Sequence, residues 1–458
     1  MSSLGAEIVF PTEMISPDTM VEIEKELTFK SLDGSKYGFG GQQVVQLVSY
    51  GDGMTRVPRR YAVERLPGMV KKASEEVAEG YAVDMVFDEE KQSSRPDLKK
   101  RQDKVIADFM ESLDAQGELF KGGLLSAACG TGKTVVCTKL FSMIGKTVLV
   151  IVHKEFLMTQ WRDRIKEFLG LADEEIGFVQ QDKCDYQGKK VVIAMIQSLI
   201  GERIYPKDFY RYFGVVCFDE AHRVGAPEFN KAVTKFPAKY RIGVTATPRR
   251  SDGLQSVFEW QLGQVIAKMR GGNALSPKIF QVYFKMYLPD RYYKWNDKVM
   301  LARLINYIVA VRPRNIWLVD QFVKALAKGR KVMVLSDRRD HLTELADRFV
   351  TRKTKHSHGF YVGGMKPAER DESAKCDLIL ATYAMAKEGL DIPDIDTLFL
   401  ATPKTDVEQS VGRIVRSHPD KKPPMVVDVV DTVPTCEDFA KKRLRQYKKL
   451  RYEIVKSV

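Results

Sequence analysis

The chain has 458 residues, 44% of them hydrophobic and 29% charged, which suits two or three soluble globular domains rather than one. Its longest apolar runs, such as VLVIV at 148–152, are too short to span a bilayer, and the N-terminus lacks the basic and apolar regions of a signal peptide. A net charge of +13 points to a polyanionic partner, nucleic acid before membrane, and six scattered cysteines without a Cys/His cluster indicate free thiols in a reducing compartment and no zinc site.

Residues 1–95 alternate short strand-like runs with turns and end in the polar run DEEKQSSRPD, which reads as a linker. They are expected to form a small N-terminal α+β domain. Residues 96–270 alternate apolar runs (GGLLSAA, TVLVIV, KVVIAMI, GVVCFDE, YRIGVTAT) with helical patterns. Nearly continuous apolar runs separated by helices predict a parallel sheet covered on both faces. Residues 271–458 repeat the style with KVMVLSD, GFYVGG, DLILATY, TLFLATP and PMVVDVVD. The fold class is therefore α/β, two tandem lobes behind a small first domain. The basic C-terminus is expected to be a helix opening on a capping box of Thr435 and Asp438. Its apolar stripe is Ala440, Leu444, Tyr447 and Ile454, and it serves either as a DNA grip or as a solvated helix packed on the second lobe.

AACGTGKT at 127–134 lies between an apolar run and a helical pattern. Such a loop aims successive N–H groups, here from Gly130, Thr131 and Gly132, at a phosphate chain. Lys133 can reach the β/γ-phosphates and the Thr134 hydroxyl can ligate Mg²⁺. Ala127 stands where the strict motif has Gly. The run VVCF ends in Asp219, Glu220 and His222, at the same sheet edge as the loop. Asp219 is suited to hold Mg²⁺ and Glu220 to orient and deprotonate the attacking water. His222, a hydrogen-bonding ring, is suited to relay nucleotide state.

Nine motifs in order over about 98–418 resemble a superfamily 2 helicase: AACGTGKT, IVHKEFLMTQW, IAMIQSL, DEAH, VTATPRRSDGL, VMVLSDRRDHL, YVGGM, ATYAMAKEGLDIP and QSVGRIVR. TATPRRSDGL, HKEFLMTQW and VPRRYAVERL look most like the XPB-like and UvsW-like branch, which includes phage and large-DNA-virus helicases. The resemblance implies two RecA-like lobes, ATP with Mg²⁺, and DNA, forked, branched or duplex, as partner. The expected setting is cytoplasmic, a bacterial host's for a phage-encoded chain, with a monomer as the working unit.

Site roles follow from the same resemblance. Gln102 would read the adenine edge, unless it is an exposed residue of an amphipathic helix; Asp391 and Gln409 would complete the nucleotide site. Arg413 and Arg416 would act as arginine fingers across the cleft, and Thr245 and Thr247 would couple nucleotide state to DNA. His153, Lys154, Gln197 and Ser198 are implied on the first lobe's DNA face, and Ser336, Arg338, Gly363 and Thr382 on the second's. Arg56, Arg59 and Arg60 are expected to contact duplex phosphates. Fork regression or branch migration is the leading activity. A double-strand translocase displacing bound complexes and an RNA helicase carry the same motifs. A non-hydrolysing clamp is disfavoured by Lys133, Asp219, Glu220 and Arg416.

Overall fold

The computed structural model describes residues 7–31, 44–70, 77–93, 95–128, 131–201, 203–225, 227–246, 253–269, 276–295, 298–388, 392, 394–405, 407, 410–412 and 421–456. Two compact units divide the chain, one ending at Gly272 and the other running from Asn273.

The first unit is built on an eight-stranded sheet. Its order is Val265–Met269, Lys121–Ala127, Tyr240–Thr245, Val215–Asp219, Val148–Val152, Val191–Met195, Ile176–Gln180 and Lys183–Cys184. All neighbours pair in parallel except the last two. VLVIV is buried along its whole length because both sheet faces are covered. Val148, Val150 and Val152 point into one core with Phe141 and Trp161, whereas Leu149 and Ile151 point into the other with Phe209 and Phe236.

The second unit repeats the plan with seven parallel strands: His358–Tyr361, Leu378–Thr382, Val332–Ser336, Thr397–Leu400, Met425–Asp431, Lys278–Phe284 and Glu453–Lys456. Two ion pairs lie inside it. Arg314 donates to both Asp431 oxygens at 2.6 and 3.0 Å with both side chains 0% exposed, and Arg443 meets Asp428 at 2.7 Å. The fold is thus the expected pair of RecA-like parallel sheets with a small antiparallel one ahead of them. The C-terminal helix, Pro434–Lys449, differs in detail. Val433 is its N-cap and gives no side-chain bond, so the Thr435–Asp438 capping box is not formed. Proline at the first helical position starts the helix instead. Ile454 belongs to the last strand rather than the helical stripe. The helix packs on its own unit through Phe439, Ala440, Arg443 and Tyr447.

The small sheet orders Glu7–Pro11, Met54–Pro58 and Ser49–Gly51, all antiparallel. Ser16 caps the helix Pro17–Leu27, its Oγ accepting from Thr19 N at 3.2 Å. Ile8, Phe10, Leu27, Val57 and Tyr61 share one core with Leu254 and Val257 of the larger sheet's flanking segment, so this layer is packed onto the first unit.

The expected linker is not one. Ala78 N donates to Pro237 O at 2.9 Å, Val83 N to Gly145 O at 3.0 Å and Asp88 N to Phe168 O at 2.8 Å. Met85 and Phe87 enter the large-sheet core, and Phe87 stacks on Phe168 at 5.9 Å. The polar run is neutralised in place: Gln92 bonds Asp103 at 2.8 Å, and Lys139 bonds Glu89 at 3.0 Å and Asp103 at 3.1 Å. A cut at residue 95 would therefore strip core from the ATP-binding unit. Phe87→Ala is expected to lower the unfolding free energy of the first unit by about 3 kcal/mol, seen as a lower urea midpoint. An unchanged midpoint would return the segment to linker status.

His341 is buried, with Nδ1 3.0 Å from Ser336 Oγ and Nε2 3.1 Å from Asn315 Oδ1. Burial and the nearby Arg314 push it down to about 3. The unfolded chain takes up a proton near pH 6.5 that the folded unit refuses until about pH 3. Its contribution to stability is complete above about pH 6.5 and declines as the pH falls, by up to ~1.4 kcal/mol per pH unit. Urea midpoints taken down this range should fall more steeply for the wild type than for His341→Asn. Equal slopes would place the acid sensitivity elsewhere.

Candidate nucleotide site

The parallel register brings three strand ends to one edge. Ala127, Asp219 and Thr245 close adjacent strands, with Asp219 level with Val244 and Thr245 with Ser126. The phosphate loop leaves the first and enters the helix Lys133–Ile144. Gly132, its N-cap, has φ +82°, a left-handed conformation that favours glycine, and a Cβ there would also push on Gln102 Nε2, 2.4 Å away. Thr131 Oγ1 donates to Ala128 O at 2.7 Å and shapes the turn. Gly130 lies outside the described residues.

Lys133 Nζ is 3.5 Å from Glu220 Oε1, and Glu220 Oε2 is 3.3 Å from His222 Nδ1. That ring nitrogen is also 3.0 Å from Thr245 Oγ1. Glu220 sits at φ +52°, a left-handed conformation that costs a non-glycine residue about 1–3 kcal/mol and turns its side chain toward the loop. Its N–H donates to Asp219 Oδ1 at 2.9 Å. Burial acts to raise the Glu220 carboxyl, but Lys133, His222 and His153 outweigh it and hold it well below the usual carboxylate range. Burial and the charge of Glu220 raise Asp219, against the pull of Lys133 and Trp161. A cation beside Asp219 would relieve that repulsion.

These residues fit ATP·Mg²⁺. Lys133 would supply a point charge to phosphate, Thr134 and Asp219 would offer hard oxygens to the ion, and Glu220, kept ionised, could accept a proton from water. Gln102 is buried in the helix Pro96–Asp114 rather than exposed. Its Nε2 donates to Thr131 O at 3.0 Å, while its buried Oε1 has no hydrogen-bond partner among the described residues. The amide therefore has its acceptor, and one of its two N–H donors, to offer an adenine edge, the other donor being spent on the loop. Bound nucleotide would supply the scissile phosphoanhydride, and these side chains would hold it, polarise it and position a base.

Residues 95–250 match the family described as Type III restriction enzyme, res subunit, and residues 315–418 match the Helicase conserved C-terminal domain. The two matches fall in tandem, one on each parallel-sheet lobe, so the chain is similar to helicases in both lobes. Over 455 residues it is 28% identical to a putative ATP-dependent RNA helicase, L396, of Acanthamoeba polyphaga mimivirus, covering 97% of this chain and 84% of that one. It is 25% identical to a putative DNA 3'-5' helicase, Rad25, of Haloarcula marismortui, over 76% of this chain and 55% of that one. The fold matches the helicase domain of Pyrococcus furiosus Hef with a TM-score of 0.53 at 14% identity, over 79% of this chain and all of that one.

The expected nucleic-acid residues separate into two groups. Lys154 and Thr382 are half-buried at strand ends, and Gly363 O accepts from Arg339. Gln197 Nε2 donates to His153 O at 3.0 Å, tying two of the expected segments together. Several side chains, by contrast, are not placed to meet a phosphate. Ser198 is buried, its Oγ accepting from Gln181 N at 2.8 Å, and Ser336 is buried on His341. His153 is buried too, neither ring nitrogen has a hydrogen bond among the described residues, and burial with Arg223 pushes it down to about 4. It lines a small cavity with Asp219, Glu220 and Arg223, beside the catalytic edge.

Arg59 and Arg60 also require correction. Arg59 is 1% exposed and donates to Ala238 O and Pro237 O, both at 3.2 Å. Arg60 is 7% exposed, bonds Glu64 at 2.6 Å and Glu259 O at 2.8 Å, and lies 5.1 Å from the Trp260 ring centre. Both guanidiniums are consumed in seating the small sheet on the larger one. Arg56 remains half-buried on its strand. Thr247, Asp391, Gln409, Arg413 and Arg416 lie outside the described residues.

Trp161 was missed. It stands inside the HKEFLMTQW motif, and its Nε1 donates to Asp219 Oδ2 at 3.0 Å. Only the fold brings a tryptophan 58 positions upstream onto that carboxylate. Trp161→Phe keeps the ring and removes the donor. Loss of such an orienting partner should raise the Mg²⁺ concentration for half-maximal ATP hydrolysis by about tenfold. A Mg²⁺ titration identical to wild type would show that Asp219 needs no such support.

Proposed function

We propose that the protein is an ATP-driven motor on duplex or branched DNA, unwinding or remodelling forks and junctions. The supporting observation is the chain of contacts from Lys133 through Glu220 and His222 to Thr245. It joins the group that meets phosphate to the end of the strand leading into TATP, so loss of the γ-phosphate can be felt there. Mg²⁺ is held by Thr134 and Asp219, Glu220 is the base, and Arg413 and Arg416 stabilise charge on the transferring phosphate. Asp391 and Gln409 complete nucleotide recognition, and Thr247 acts with Thr245 in coupling. Lys154, Gln197, Arg338, Gly363 and Thr382 guide the strand mainly through phosphates, so sequence preference is weak and salt dependence strong.

An RNA helicase is the second reading, favoured by the printed name of the mimivirus relative. ATP hydrolysis is to be measured with single strands, duplexes, forks and four-way junctions of DNA, and with matched RNAs. Greatest stimulation by forked or four-way DNA supports the first reading. Stimulation confined to RNA overturns it.

A further inference from the structure

Between the two family matches lies a surface that neither accounts for. We propose that Tyr287, Arg291, Tyr292, Trp295, Arg303 and Tyr307 of the second unit form a stacking platform for single-stranded nucleic acid. The proposal rests on the helicase reading and adds a binding surface to it.

Three large rings face solvent here: Tyr287 at 89% exposed, Trp295 at 63% and Tyr307 at 41%. They are held out by a built scaffold. Met286 and Leu288, on either side of Tyr287, pack with Tyr293, Leu304, Ile308 and Val433. Tyr293 is buried, its hydroxyl donates to Asp290 Oδ1 at 2.7 Å, and its carbonyl accepts from Met300 N at 2.6 Å. Trp295 lies on a two-residue strand paired with Lys298–Val299. The helix Leu301–Val309 buries Leu304, Ile305 and Ile308 and leaves Arg303 and Tyr307 outside. Tyr292 and Tyr307 lie 5.0 Å apart, and the Arg291 guanidinium sits 5.0 Å above the Tyr292 ring.

Charge selects the occupant. Residues 285–303 hold Lys285, Arg291, Lys294, Lys298 and Arg303 against Asp290 and Asp297. Asp290 is engaged by Lys294 and Tyr293. Exposed rings interleaved with cations suit bases and phosphates in alternation, because every base offers a π-face and every nucleotide a negative charge. A lipid or an apolar peptide would call for aliphatic side chains, and this surface displays chiefly tyrosine and tryptophan. The platform also continues into the mouth of the sheet. Arg338, just past the carboxyl end of Val332–Ser336, donates to Asn306 Oδ1 at 2.7 Å and Ala302 O at 3.3 Å on the platform's helix. Ligands of such sheets lie beyond the carboxyl ends of the strands.

The full chain is tested with oligo(dT) and oligo(U). Of the four tryptophans Trp161 is buried, Trp260 and Trp317 are half-buried and Trp295 is exposed, so the part of the quenching that Trp295→Phe removes reports occupancy of the platform, and the anisotropy of labelled oligonucleotides measures binding in every variant. Tyr287→Ala, Trp295→Ala and Tyr307→Ala are each expected to weaken binding about fivefold or more, whereas Trp295→Phe and Tyr307→Phe keep most of it. Arg303→Ala should reduce the slope of log affinity against log salt by about one. Urea midpoints equal to wild type certify that the variants fold. If wild-type ATP hydrolysis responds to single strands and the triple alanine variant binds them as tightly as wild type, the platform is overturned and the helicase reading stands. If no nucleic acid stimulates the wild type, the helicase reading itself falls. A triple variant that loses only self-association would make the surface a contact between copies, which also overturns the proposal.

Discussion

Glu220→Gln is expected to retain ATP binding and to lower turnover by about 10³-fold, within the range for loss of a positioned general base. The side chain keeps its shape and its place 3.5 Å from Lys133, but an amide cannot take a proton from water. Wild-type Glu220 is held ionised chiefly by Lys133, with a hydrogen bond from His222, against the cost of its burial. The amide should leave Lys133 without its counter-charge, so ATP affinity should hold steady or rise. Lys133→Ala is the opposite case. It removes the cation from the phosphates and from Glu220 together, and should abolish turnover through lost binding as well as lost chemistry. Equilibrium binding of a fluorescent ATP analogue, beside steady-state phosphate release, separates the two. Wild-type turnover in Glu220→Gln would remove Glu220 from the role of base.

The second large effect concerns stability. Arg314→Ala should destabilise the second unit by about 3–5 kcal/mol, because it strips the fully buried Asp431 carboxyl of its cation partner. The same change leaves Ala401 O without the donor that meets it at 2.8 Å. Arg314→Met with Asp431→Leu removes both charges at once and should recover much of the loss. A double-mutant cycle on urea midpoints measures the coupling. A single variant as unstable as the double one would mean that volume, not charge, dominates the site.

The sheets and the phosphate site were legible because their signals are local. VLVIV is continuous because the strand is buried on two sides, and AACGTGKT carries its chemistry within eight residues. The arginines of VPRRY were misread because their partners are distant. Arg59 serves carbonyls at 237 and 238, some 180 positions away, and nothing in the run itself distinguishes a buried guanidinium from a surface one. The stretch DEEKQSSRPD looked like solvent-borne linker for a similar reason. Its charges are answered by Lys139 and Lys99, on two helices of the large domain. Ser336 illustrates a third limit. A short polar residue at a strand end suits a phosphate, yet it is claimed by a histidine five positions on.

The strand order of the second unit bears on how the protein is made. Its first strand, Lys278–Phe284, lies between Met425–Asp431 and Glu453–Lys456, both of which are translated long after it. During synthesis that opening strand has both hydrogen-bonding edges vacant until Met425–Asp431 is translated, about seven to thirty seconds at ordinary elongation rates. The unit can therefore close only after residue 425 has been translated, and the nascent chain in that interval exposes a ready template for mispairing. Slowed elongation past residue 284 should make the nascent protein more dependent on chaperones, whereas the first unit, complete by about residue 270, should already be folded.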